Sequence, residues 1–241
     1  MDNKLSKPFC IKTWASIIFL IIVCRGNTQD STVQKPPVMD NWKEYLGVIA
    51  KDPGKKMVDL QAKIPAIVFD LRYSSANNFM NRQMYDPAPV TSFLRAPAAD
   101  ALAKAQTELA ASGLGLKIFD AYRPWSVTAR FWELVKDERY VANPARGSGH
   151  NRGIAVDLTI IRLDNDTELP MGTGFDNFSD TAHHGFGQLP LEVLNNRKLL
   201  RSTMEKYGFK ALETEWWHYF LPDAGRFELL DLSFKQLQQK P

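Results

Sequence analysis

Beyond residue 26 the sequence has no cysteine, because its two, Cys10 and Cys24, both fall in the N-terminal segment. That excludes an internal disulfide and a thiolate metal site from the rest of the chain, so a metal there must be held by His, Asp or Glu. Histidine is scarce too, with only His150, His183, His184 and His218. Net charge is lacking once the N-terminus is set aside. The formal +3 of the whole chain comes from Lys4, Lys7, Lys12 and Arg25 against Asp2, and the remaining residues carry 26 basic and 26 acidic groups. Such a balance leaves no footprint for nucleic acid, and nothing else in the sequence points to a protein partner. There are no internal repeats, which argues against solenoids and propellers.

The apolar run from Trp14 to Val23 follows a basic start and is short for a bilayer span. It fits the core of a signal peptide, so residues 1–26 are expected to direct export to a periplasmic or membrane-anchored location. Ile21-Ile22-Val23-Cys24 resembles a bacterial lipoprotein signal, with Cys24 as the acylated residue and lipid anchor, although Val23 departs from the usual small residue. Ordinary cleavage after Gly26 and an uncleaved anchor are the rival routes. All three place the domain outside the cytoplasm. Residues 27–39, polar and containing Pro36-Pro37, read as a linker, and residues 40–241 as one domain.

Within that domain, Trp42, Tyr45, Leu46 and Ile49 recur at helical spacing before Asp52-Pro53-Gly54. Ile64 to Leu71 suggests a strand. Pro97 to Ser112 is Ala- and Leu-rich, with proline near its start and Gly113 after its end, so a helix is predicted there. Leu116 to Phe119 reads as a short strand, and Pro124 opens a helix on which Val127, Phe131 and Leu134 share a face. A last helix is predicted over Asn195 to Tyr207, closed by Gly208. Strands and helices mix without a βαβ rhythm, which points to an α+β fold.

The chemistry concentrates in two stretches. The first, Ser148-Gly-His-Asn-Arg-Gly-Ile-Ala-Val-Asp157, runs into an apolar, β-branched segment that reads as a buried strand. Alternation puts Ala155, Asp157 and Thr159 on one face and Ile154, Val156 and Leu158 on the other. Gly153 permits a sharp entry that brings His150 back towards Asp157, and the small Ala155 leaves room for a metal. An aspartate inside an apolar strand is informative, since an unpaired buried carboxylate is costly. The second stretch is Glu215-Trp216-Trp217-His218. Two imidazoles, one carboxylate ligand and one spare carboxylate are what a hydrolytic zinc site needs. Glu215 and His218 are three apart and would point to opposite faces of a regular strand, so a bulge or turn is required.

These motifs, together with Phe119-Asp120-Ala121-Tyr122-Arg123-Pro124, Met171-Gly172-Thr173-Gly174-Phe175-Asp176 and His183-His184, resemble the D-alanyl-D-alanine metallopeptidases, specifically the dipeptidases of the VanX type. The resemblance covers about residues 60 to 222. It implies a small, mostly antiparallel sheet flanked by helices, the zinc fold that hedgehog-like domains share with D,D-peptidases. It further implies one Zn2+ on His150, Asp157 and His218, with Glu215 as general base in preference to the nearby Glu213. Arg123 takes the role of oxyanion stabiliser, and Asp176, Ser148 and Tyr73 that of holding the ammonium of a small dipeptide. The resemblance gives His183 and His184 no ligand role. A D,D-carboxypeptidase or endopeptidase on peptidoglycan stems, or a non-catalytic zinc-binding domain, are the alternatives.

Overall fold

The computed structural model describes residues 35–239, so the signal segment, Cys24 and most of the predicted linker lie outside the described residues. Among those described, no helix is long and apolar enough to cross a membrane.

The chain opens with β1 (Val38–Met39), α1 (Trp42–Lys51), β2 (Met57–Asp59), α2 (Leu60–Lys63) and β3 (Val68–Phe69). Next come β4 (Phe93–Arg95), α3 (Ala96–Ala110), β5 (Leu114–Asp120), α4 (Trp125–Leu134), α5 (Gly149–Arg152) and β6 (Ala155–Arg162). It closes with α6 (Leu191–Lys206), β7 (Lys210–Leu212), β8 (Glu215–Phe220), β9 (Leu229–Leu230) and α7 (Phe234–Leu237). The fold is α+β. Its main sheet has the order β3-β5-β6-β8-β7, antiparallel except for the parallel β3–β5 pair. Val38 and Met39, at the end of the predicted linker, pair in parallel with β9, and Met39 is buried.

β5 and β6 read as near-continuous apolar runs because both faces of the sheet are covered. On one side, Leu116, Ile118, Val156, Leu158 and Ile160 pack with Leu102, Leu109 and Leu200 from α3 and α6. A second, aromatic-rich core gathers Tyr73, Tyr85, Tyr122, Phe131 and Phe234. Burial of this kind, not intrinsic strand preference, is what holds such segments in the sheet.

Three predicted elements differ from what is observed. Only Val68–Phe69 of the stretch Ile64 to Leu71 is a strand, and a helical turn precedes it. The Asp59 carboxylate caps that turn by accepting from the amides of Gln61 and Ala62, and Pro65 has no N–H to donate to a ladder. Leu134 does not share the buried face of Val127 and Phe131, being about half exposed where α4 ends. α6 begins one turn earlier than predicted, after Pro190, which caps it with no side-chain hydrogen bond and so leaves no polar cap signal.

Candidate active site

Two irregularities in the sheet build the site. Along β5 and β6, Ile118 faces Leu158 but Asp120 faces Asp157, so Phe119 is an extra residue in β5. On β8, Tyr219 pairs with Ala211 and Glu215 with Leu212, leaving Trp216, Trp217 and His218 bulged out against β7. This is the bulge that the Glu-x-x-His spacing demands. On its other side His218 stays opposite Asp157, with its Nδ1 2.8 Å from Asp157 Oδ1.

His150 comes from the short helix α5. Ser148 and Asn151 form a reciprocal capping box at its start, and Gly153 at its end sits at φ +70°, in the left-handed region that favours glycine. Ala155 packs against Gly149, where an added Cβ would lie 2.8 Å from its own, so its small size lets α5 close onto β6. The His150 ring donates from Nδ1 to the carbonyl of Ala121 at 2.7 Å. That bond leaves the Nε2 lone pair free, and Nε2 lies 3.4 Å from Asp157 Oδ2 and 3.3 Å from His218 Nδ1. The three donor atoms of His150, Asp157 and His218 fall within 4.8 Å of one another, around one point. A neutral imidazole oriented through its other nitrogen and a buried carboxylate are the donors a zinc ion takes, so these residues fit the metal.

The eight residues singled out from sequence all line one cavity of about 700 Å3. Asp176 sits at φ +59°, and Tyr73 donates its hydroxyl to the Asp176 carboxylate at 3.1 Å. The Ser148 hydroxyl already accepts from the amide of Asn151 as the cap of α5, leaving one lone pair and its proton for a ligand. Arg123 lies under the rings of Tyr73 and Phe131, with its guanidinium carbon 4.9 Å and 4.8 Å from their centres. Glu213 is outside the cavity, paired with Arg201 at 2.7 Å. His183 lines the cavity and His184 does not; burial pushes the His184 imidazole down to about 4.

Asp120 completes the site, and its role was not read from the sequence. Fully buried, it accepts from Arg123 Nε at 3.0 Å and Nη2 at 2.6 Å, from the Tyr85 hydroxyl at 2.5 Å and from the amide of Ala121 at 3.0 Å. The reasoning applied to Asp157, that a carboxylate in an apolar strand needs a partner, extends to Asp120 at the end of β5 and would have found it.

Charge is finely placed. Burial raises the Glu215 carboxyl above its ordinary value, against the pull of His218. Burial and then the nearby Asp157 carry Asp176 well above the usual carboxylate range. Burial would also raise Asp157, but His150 and His218 hold it far below. Burial alone would lower His218, and the facing Asp157 more than reverses this.

These shifts give a signed pH dependence. The stability that His218 gains from its raised pKa is present below about pH 6.5 and lost as pH rises through its folded value. Asp176 and Glu215 act in the same sense, because their ionisation above about pH 4 is penalised by burial. The depressed pKa of Asp157 works oppositely, its contribution being lost only as pH falls below about 4. Metal-free protein is therefore expected to melt at progressively lower temperature as pH rises above about 6.5. Zinc should raise the melting temperature, and raise it more at the higher pH, because metal and protons compete for the same donors. Thermal denaturation with chelator or with zinc checks this; a zinc increment that is zero, or that shrinks with pH, contradicts the site.

Residues 54–240 match the D-ala-D-ala dipeptidase family of M15 peptidases. A D-alanyl-D-alanine dipeptidase of Escherichia coli (strain K12) is 37% identical over 175 residues, which are 73% of this chain and 89% of that protein. One from Enterococcus faecium is 32% identical across 66% of this chain and 88% of its own length. One from Streptomyces coelicolor is 33% identical across 66% and 88%.

Proposed function

The chain belongs to the D-ala-D-ala dipeptidase family of M15 peptidases, and from that premise we propose that it hydrolyses D-Ala-D-Ala to two molecules of D-alanine. The observation that carries this reading is the convergence of His150, Asp157, His218, Glu215 and Arg123 with the Asp176–Tyr73 pair on one cavity. His150, Asp157 and His218 would hold one Zn2+. When bound, zinc supplies Lewis acidity and lowers the pKa of water to about 7.

Glu215 takes the proton of the attacking water and returns it to the leaving amine. Its raised pKa suits both halves of that task, since a carboxylate of ordinary pKa is a poor acid at neutral pH. Arg123 presents a fixed cation to the charge that develops on the scissile carbonyl oxygen. Its geometry is set before substrate arrives, because Asp120 holds two of its N–H groups and the aromatic rings of Tyr73 and Phe131 flank it. Asp176 receives the substrate ammonium, which supplies the counter-charge that this buried carboxyl lacks, while Tyr73 orients it and Ser148 adds an acceptor. Recognition of a free ammonium favours the dipeptide over a stem peptide, whose corresponding nitrogen is an amide.

The basic, then apolar start of the sequence supports delivery outside the cytoplasm, either with Cys24 as a lipid anchor or by ordinary cleavage after Gly26. An exported enzyme of this kind would salvage D-Ala dipeptides released by peptidoglycan turnover; recovery of the active enzyme in the cytosol on fractionation would overturn that role. The activity itself is tested by incubating the zinc-loaded chain with D-Ala-D-Ala. Two D-alanines per dipeptide are expected, abolished by chelator and restored by zinc, and no release from zinc-loaded protein would exclude the reading.

A further inference from the structure

The segment between β6 and α6 carries Asp176 with little regular structure to hold it, an isolated bridge from Glu168 to Ile161 and a 3-10 turn at Asp180–Ala182. Phe175 packs against Phe119, Tyr73 and Trp217, and a side chain on α6 ties the two limbs of the loop together. Arg197 is 4% exposed, and it donates from Nε to the carbonyl of Met171 at 2.8 Å, from Nη2 to that of Thr181 at 2.9 Å and from Nη1 to that of His183 at 3.1 Å. Met171 stands on the limb entering the loop, and Thr181 and His183 stand on the limb leaving it. One guanidinium therefore closes the neck of a loop that has Asp176 near its apex. Two lesser tethers help: Asn196 Nδ2 donates to Pro170 O at 2.9 Å, and Trp216 Nε1 donates to Thr173 Oγ1 at 2.8 Å.

Burying a guanidinium against carbonyls alone is an unusual use of charge. Arg95 is buried in the same way and also donates to three carbonyls, yet it has Glu228 within 3.6 Å. Among the described residues the partners of Arg197 are backbone carbonyls, with no carboxylate paired to it. Its planar fork, with five donors at fixed angles, spans two chain segments in a way that a lysine ammonium cannot.

We propose that Arg197 is a positioning residue for substrate selection, holding the loop of residues 171–183 so that Asp176 meets the substrate ammonium. It does not line the cavity and is not among the three convergent donors. The inference rests on the reading of Asp176 as the ammonium's partner.

The test compares D-Ala-D-Ala with N-acetyl-D-Ala-D-Ala, which lacks the ammonium, on wild type, Arg197→Lys and Asp176→Asn. For Arg197→Lys, KM for the free dipeptide is expected to rise about tenfold or more, as small misplacements of binding groups do. Its kcat and zinc content should stay within about twofold, and kcat/KM for the acetylated substrate should hardly change. The preference for the free dipeptide should thus be compressed, as it should be in Asp176→Asn. A general loosening of the fold would lower both substrates alike. That outcome in Arg197→Lys, beside a compressed preference in Asp176→Asn, overturns the clamp and leaves the ammonium reading intact. An unchanged preference in Asp176→Asn overturns the ammonium reading and the clamp with it. Should Arg197→Lys not fold, Thr173→Val removes a tether of the same loop and must compress the preference in the same direction, by a smaller factor; no compression there overturns the clamp.

Discussion

Glu215→Gln is expected to lower kcat by about 10²–10⁴-fold while zinc binding is retained. The substitution keeps the size of the side chain and removes its ability to carry a proton between water and the leaving amine. Glu215 is not one of the three convergent donors, and its Oε2 lies 3.9 Å from His218 Nδ1, beside those donors without joining them. Metal analysis and steady-state D-alanine release on the same preparation separate the two roles. The wild-type acidic limb of kcat/KM should reflect a carboxyl titrating above the ordinary glutamate range, and the variant should lose that limb. Retained activity in Glu215→Gln would show that another group is the base. Glu213 would be a poor replacement, since it is exposed and committed to Arg201.

Arg123→Met is expected to lower kcat by about 10²–10³-fold, the usual cost of removing a preorganised group from a developing oxyanion. A second effect accompanies it. Asp120 is fully buried, and without Arg123 its charge retains only the Tyr85 hydroxyl and one backbone amide as donors. Breaking a buried pair in this way typically costs about 3–5 kcal/mol of stability. The double variant Arg123→Met/Asp120→Asn removes the stranded charge, so it should recover much of the stability and none of the activity. Urea denaturation and kcat for the two variants resolve the contributions. If the double variant regained activity along with stability, Arg123 would be a purely structural residue.

Much of the site was legible because its chemistry is costly anywhere else. A carboxylate within Ile154 to Ile160 had to have a partner, and the Glu-x-x-His spacing could put both side chains on one site only through a bulge, which β8 contains. The helix at Ala96–Ala110 was legible from proline at its start and Gly113, at φ +72°, after its end. What escaped was decided by partners remote in sequence. Nothing local marks Val38–Met39 as a strand, because its pairing partner lies at Leu229–Leu230. Arg197 sits on a helix of mostly polar composition, where an arginine reads as solvated, and its burial follows from a loop that folds back over it. Ser148 shows the same limit from the other side: its pattern implied a ligand contact, and its hydroxyl also serves as the cap that sets the direction of His150.

The most direct test of the central claim is the hydrolysis of free D-Ala-D-Ala measured beside that of N-acetyl-D-Ala-D-Ala by the zinc-loaded protein. A site with Asp176 awaiting an ammonium predicts rapid release of D-alanine from the free dipeptide and kcat/KM lower by at least about tenfold for the acetylated one. Equal rates, or faster cleavage of the acetylated substrate, would contradict the account and make the cavity that of a carboxypeptidase acting on longer stems.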